Sequence, residues 1–228
     1  MVHEKMKIPR AVVPWFMEVR QECFIIKTDD FGTCNSRYRE RTLKRERVTK
    51  PNKKVKILNS EIIYEGKAFG VRRDELIEPT GVRTTREVVT HPGSVVVLPV
   101  LPDGRVVMVR QYRHATRQYL WELVAGRMEH GEGPKEGAQR ELIEETGYRA
   151  KKFKIFLEFF PTPGFLEEKM YLLLAEGVTA GQAAPEEDEK IDVAAYTPKQ
   201  LKQMLRTGKL KDAKSIAGLL FYFSFLIK

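Results

Sequence analysis

The chain has 228 residues, 42% apolar and 31% charged, with 16 Gly, 12 Pro and two Cys, a balance that suits a folded protein of one or two domains and excludes collagen-like, low-complexity and disulfide-framed classes. Cys23 and Cys34 cannot build a disulfide scaffold, and no CxxC pair or His–Cys cluster marks a structural zinc site, so a reducing cytoplasm is expected. The net charge of +9 is concentrated in residues 37–56, where ten Lys or Arg stand against two Glu.

The first residues, MVHEKMKIPRAVVPWFMEVR, mix acids, bases and a Pro into their apolar stretch and lack the uninterrupted apolar core of a signal peptide. Residues 1–54 show neither strand alternation nor a helical stripe and read as a basic extension with little order of its own. Its basic block is either a phosphate-seeking arm for nucleic acid or a solvated segment; Tyr38 is its one aromatic for stacking on bases, which favours the second. A domain is expected over 55–228.

From Val55, KILNSEIIYEG, FGVRRDELIE and TTREVVTHPG predict an antiparallel strand unit over 55–90. SVVVLPVL and RVVMVRQYR then read as a hairpin around Pro102-Asp103-Gly104, and YLWELVAG as one strand ending at Gly126. Pro134 can open a helix and Gly147 close it. KKFKIFLEFF and KMYLLLAEG read as strands flanking the loop PTPGFLEE, and an acidic stretch, PEEDEK, precedes a short strand, IDVAAY. Thr197 and Pro198 read as the cap and first residue of a helix reaching Gly208, and DAKSIAGLLFYFSFLIK as a mostly buried helix. Its longest apolar run, LLFYFSFLI, is far short of the roughly 20 residues a membrane span needs.

In the central helix, Glu141, Glu144 and Glu145 fall within an arc of about 100°. Three carboxylates on one face repel unless a cation intervenes, and hard oxygen ligands at this density suit Mg2+ or Mn2+. The alternative is a solvated Glu-rich face. Spacing decides between them: Gly126, Glu132, Arg140-Glu141-Leu142, Glu144-Glu145 and Gly147-Tyr148 fall at fixed intervals whose chance coincidence is on the order of one in a billion per window. This is the Nudix box, and the chain resembles the Nudix hydrolase superfamily, with Tyr148 standing where an aliphatic residue is usual.

That resemblance implies an α/β fold, a Nudix-type α/β/α sandwich with a mixed sheet plus the N-terminal antiparallel unit, and metal-dependent hydrolysis of a nucleoside diphosphate linked to another group. It implies two or more Mg2+ or Mn2+ ions held by Glu141 and Glu145, with Glu132, Glu144 and the carbonyl of Ala125 as further ligands and Arg140 orienting the carboxylates. Pro163, fifteen residues after Tyr148, together with RQYR, WELVAG, TTREVVTHPG and DAKSIAGLL, narrows the resemblance to ADP-ribose and nucleoside diphosphate-sugar pyrophosphatases. Leu166 and Tyr171 depart from the residues usual in that group. By the same resemblance Arg86 and Arg113 hold phosphate or terminal ribose, Glu122 lies near the ligand, and Trp121 either lines the adenine pocket or belongs to the core. The general base is expected outside the helix, at Glu189, with Glu187 and Glu168 as alternatives. A homodimer is expected, with the 55–90 units crossing over to complete each other's sites. The same box also serves GDP-mannose, NADH, diadenosine polyphosphates or RNA 5′ ends as substrates, and a non-catalytic nucleotide sensor is the reading outside enzymes.

Overall fold

A computed structural model of the chain describes residues 54–181 and 191–227. Three strands, β1 (Lys56–Glu65), β2 (Gly70–Ile77) and β3 (Arg83–Thr90), form an antiparallel meander whose first strand is exposed along its whole length. The remaining strands are β4 (Ser94–Pro99), β5 (Val106–Arg113), β6 (Gln118–Glu122), β7 (Val124–Arg127), β8 (Lys152–Phe159), β9 (Met170–Glu176) and β10 (Asp192–Tyr196). They build two sheets, ordered β10-β5-β6 and β7-β4-β9-β8; in the second, β4 and β9 run parallel and the other pairs antiparallel, so the sheet is mixed.

Strand β4 shows why the molecule is layered. All six of its residues are buried, as expected of a strand covered on both faces, which reads as a continuous apolar run rather than an alternation. Val96 and Leu98 point into a core with Leu201 and Met204 of α2 (Pro198–Arg206) and Leu219 of α3 (Ala213–Phe221), while Val95 and Val97 point into a second core with Ala138 and Leu142 of α1 (Pro134–Thr146). One helix covers one face and two cover the other, giving the α/β/α arrangement.

The helix boundaries follow the sequence signals. Pro134 opens α1, and Gly147 closes it at φ 72°, a left-handed conformation that glycine adopts without a Cβ penalty. Thr197 and Gln200 make a reciprocal capping box at α2, and the Asp212 carboxylate accepts from the Ser215 amide at the start of α3.

Three expectations are corrected. SVVVLPVL and RVVMVRQYR do not pair as a hairpin: they meet only at a Val100–Val106 bridge beside the turn and then diverge into different sheets. Both runs are apolar on both faces, so each is taken up by its own buried neighbours. YLWELVAG is not one strand, because the chain changes sheets at Leu123, whose amide donates to the Ser215 hydroxyl at 2.7 Å. The C-terminal helix is less buried than its composition implies: α3 passes into a π-helical turn, Tyr222–Leu226, and Leu220 and Phe225 are 50% and 73% exposed. No helix among the described residues is long and apolar enough to cross a membrane.

Candidate active site

Helix α1 brings Glu141, Glu144 and Glu145 to a cavity of about 450 Å³ that Glu129 also lines, together with the basic residues Lys67, Arg113, Arg127 and Arg140 and with His91, Gln111, Ala125 and Gly126. Strand β7 runs close beneath the helix. A Cβ on Gly126 would meet the Glu141 carboxylate, so glycine leaves that side chain its observed place by close approach and not by its backbone angles.

Arg140 organises the acidic wall. Its guanidinium donates to both oxygens of Glu132 at 3.0 Å, to Glu141 at 2.7 Å, to Glu144 at 2.9 Å and to the carbonyl of Arg127 at 2.9 Å. These bonds, Glu132 first, raise the Arg140 pKa far above its ordinary value, so it stays cationic at any working pH. In return Arg140 holds the Glu132 carboxyl below its usual range. Glu145, buried at the inner end, accepts from the Ala125 amide at 3.2 Å and from Gln111 Nε2 at 3.4 Å.

Among the described residues no three His, Cys, Asp or Glu side chains converge as a ready-made ligand set, because Arg140 stands among Glu132, Glu141 and Glu144. The chemistry of the wall nonetheless fits a hard cation: anionic oxygens from Glu141, Glu144 and Glu145 and the backbone of Ala125 border one cavity.

Arg113 reaches the cavity from the end of β5. Its Nε and Nη2 clamp Glu122 at 2.8 and 2.7 Å, and Glu122, 1% exposed, also receives Lys214 of α3. Burial pushes the Glu122 carboxyl up, but Arg113 and Lys214 outweigh it and the net shift is downward. Glu122 therefore sits behind Arg113 and not on the cavity wall. Trp121 lies at the edge of the first core, 5.1 Å from Tyr196 in an edge-on contact, also outside this cavity.

Arg86 and Pro163 line a separate cavity of about 290 Å³ formed by β3 and the loop after β8. Arg86 pairs there with Glu78 at 2.5 Å. That loop docks on β3 through Val89, whose amide donates to the Phe165 carbonyl at 2.7 Å and whose carbonyl accepts from the Glu167 amide at 3.1 Å. Its Glu168 accepts from the Ser94 hydroxyl at 2.5 Å and lies 3.8 Å from His91 Nδ1, at the rim of the main cavity. Glu187 and Glu189 lie outside the described residues.

Sequence reasoning missed Lys67, His91, Gln111, Arg127 and Glu129. Gln111 and Arg127 sit inside or beside stretches already singled out, so strand alternation from Arg113 and from Ala125 could have found them. Lys67 carried no signal, since a turn between two strands of the N-terminal unit gave no reason to face the helix. His91 accepts from the Gly93 amide through Nδ1 at 3.1 Å, and burial above all pushes its pKa down.

The family model of the NUDIX domain matches residues 90–219. An ADP-ribose pyrophosphatase from Bacillus subtilis is 36% identical over 70% of this chain and 88% of its own length, and a methanol dehydrogenase activator from Bacillus methanolicus is 33% identical over 71% and 88%. Among solved structures, one described as an ADP compounds hydrolase superposes with a TM-score of 0.67 at 23% identity, covering 76% of this chain and 95% of that one.

Proposed function

The chain belongs to the Nudix family, and we propose that it hydrolyses the diphosphate linkage of ADP-ribose or a related nucleoside diphosphate sugar, giving AMP and ribose 5-phosphate from ADP-ribose. The observation that carries this reading is the two-signed cavity, whose lining combines four glutamates with Arg113, Arg127 and Lys67. Such a wall suits a dianionic diphosphate approached from one side by cations of the protein and from the other by metal held on carboxylates. Relatives named ADP-ribose pyrophosphatase, at 36% and 34% identity, point to the same substrate.

In this reading Glu141 and Glu145, with Glu132, Glu144 and the Ala125 carbonyl, would hold two or more Mg2+ or Mn2+ ions. Bound there, a divalent ion supplies charge neutralisation at the diphosphate and lowers the pKa of its water. Arg140 keeps the carboxylates turned toward the cavity. Arg113 and Arg127 grip phosphate oxygens, for which a planar guanidinium fork is suited. A glutamate, Glu189 or else Glu187 or Glu168, takes the proton of the attacking water; the oxygen bonds to phosphorus and the bridging P–O bond breaks.

A homodimer completes the proposal. The N-terminal meander exposes Ile57, Ile62, Tyr64, Phe69 and Val82, each at least 46% accessible, more apolar surface on one small sheet than scattered single residues account for. A second copy over this sheet would cover it and would bring Arg86, distant from its own carboxylate wall, to the neighbour's ligand. Residues 1–54 are read as an accessory extension before a domain at 55–228, and the cytoplasm as the compartment.

Purified protein with Mg2+ and a panel of ADP-ribose, GDP-mannose, NADH and diadenosine polyphosphates tests the assignment. AMP and ribose 5-phosphate released fastest from ADP-ribose are expected; no turnover of any member would overturn it.

A further inference from the structure

Helix α3 is tied to the cavity by a largely buried chain of polar groups that the proposed chemistry uses only at its Arg113 end. Glu122, 1% exposed, receives Arg113 Nε on one oxygen at 2.8 Å and shares the other between Arg113 Nη2 and Lys214 Nζ. Lys214 in turn donates to Asp212 at 2.9 Å, while the other Asp212 oxygen accepts from the Ser215 amide and hydroxyl at 3.0 and 2.5 Å. Fully buried Ser215 accepts from the Leu123 amide, fixing the point where β6 gives way to β7.

This arrangement does more than satisfy a buried carboxylate. Arg113 alone would have satisfied Glu122 with a bidentate pair, and burying a second cation carries a desolvation cost that a purely structural pair avoids. Two consequences follow from the geometry. Lys214 draws on the same oxygen as Arg113 Nη2, so the carboxylate plane is fixed from both sides and the guanidinium is fixed with it. Lys214 also offsets part of the charge with which Glu122 cancels Arg113, leaving Arg113 a stronger partner for an anion through Nη1, the nitrogen that Glu122 does not use.

Resting on the hydrolase reading above, we propose that Lys214 is a positioning residue for substrate: through Glu122 it sets the geometry and effective charge of Arg113, and so the affinity of the cavity for the diphosphate of a nucleotide. Its place on the C-terminal helix makes the docking of α3 a condition for tight binding, although α3 contributes no side chain to the cavity wall.

The test is a double-mutant cycle on Lys214→Met and Arg113→Ala, with KM and kcat for ADP-ribose and thermal unfolding measured on each protein. Lys214→Met should raise KM about tenfold and leave kcat within about twofold, since the lost interaction acts on binding geometry. On the Arg113→Ala background the same substitution should add less than about twofold, because its route to the substrate is gone. Lys214→Arg should recover most of the loss. If Lys214→Met does not fold, Lys214→Gln, which keeps a donor without the charge, takes its place in the cycle. A lowered Tm with unchanged KM, or a full tenfold effect persisting on the Arg113→Ala background, would overturn the proposal. Calorimetric titration of the same four proteins with ADP and Mg2+ reads the coupling without turnover: a wild type inert toward ADP-ribose rejects the hydrolase reading alone, and additive effects on the Kd of ADP reject the Lys214 role alone.

Discussion

Gly126 of β7 lies directly beneath the Glu141 carboxylate, leaving no room for a side chain between strand and helix. The obstructed atoms are the far end of a flexible side chain, so Gly126→Ala should fold by turning Glu141 aside. If Glu141 holds metal as proposed, misplacing its carboxylate by about 1 Å is expected to lower kcat on the order of 10²-fold. Activity near wild type in a variant with native Tm would show that Glu141 does not need its observed position.

Glu145 is the most deeply placed carboxylate of the wall, at 5% exposure. Glu145→Gln keeps its shape and one acceptor for the Ala125 amide while removing its charge, so the fold should persist and kcat should fall about 10²-fold or more. A Mg2+ titration of kcat with circular dichroism as control checks this, and near-normal turnover across the titration would remove Glu145 from the ligand set.

Arg140 and Glu132 predict an acid dependence of stability. The Glu132 pKa is depressed in the folded state by Arg140, so the pairing stabilises the fold above the ordinary glutamate value of 4.5 and the contribution is lost as pH falls through the folded value. The Tm gap between wild type and Arg140→Ala should therefore be widest near neutral pH and narrow below about pH 4.5. A gap constant from pH 7 to pH 3 would show that the pairing carries no such linkage.

Of the three glutamates proposed as general base, Glu189 and Glu168 are the pair that mutation separates most directly. Glu189→Gln should lower kcat by roughly 10²- to 10⁴-fold with little change in metal affinity. Glu168, held by Ser94 at 2.5 Å and half a side chain from His91, is the rival, and a larger loss in Glu168→Gln with Glu189→Gln near wild type would move the base to the rim beside Ser94.

Deleting residues 1–50 should leave a soluble dimer with similar kcat on ADP-ribose, because the sequence predicts no core residue before Val55. Gel filtration and turnover decide; loss of either property would assign the extension a part in assembly or catalysis.

The sequence by itself determined the reaction class and the local elements. The intervals from Gly126 to Tyr148 are set by helix and loop geometry within about two dozen residues, so Pro134, Arg140, Glu141, Glu144, Glu145 and Gly147 declared their places without reference to the rest of the chain. The capping pair Thr197 and Gln200 and the turn at Gly104 were legible for the same reason, as each depends on contacts a few residues apart. Tertiary structure alone decided which strands pair. A run such as SVVVLP is apolar on both faces, and periodicity cannot say which neighbours bury it, so the divergence of β4 from β5 and the break at Leu123 stayed hidden. It also decided which basic residues join the cavity. Lys67, His91 and Arg127 come from separate elements, and Lys214 meets Glu122 across 92 positions of sequence, a separation at which a sequence carries no local constraint and only packing of α3 against the β6–β7 junction makes the contact.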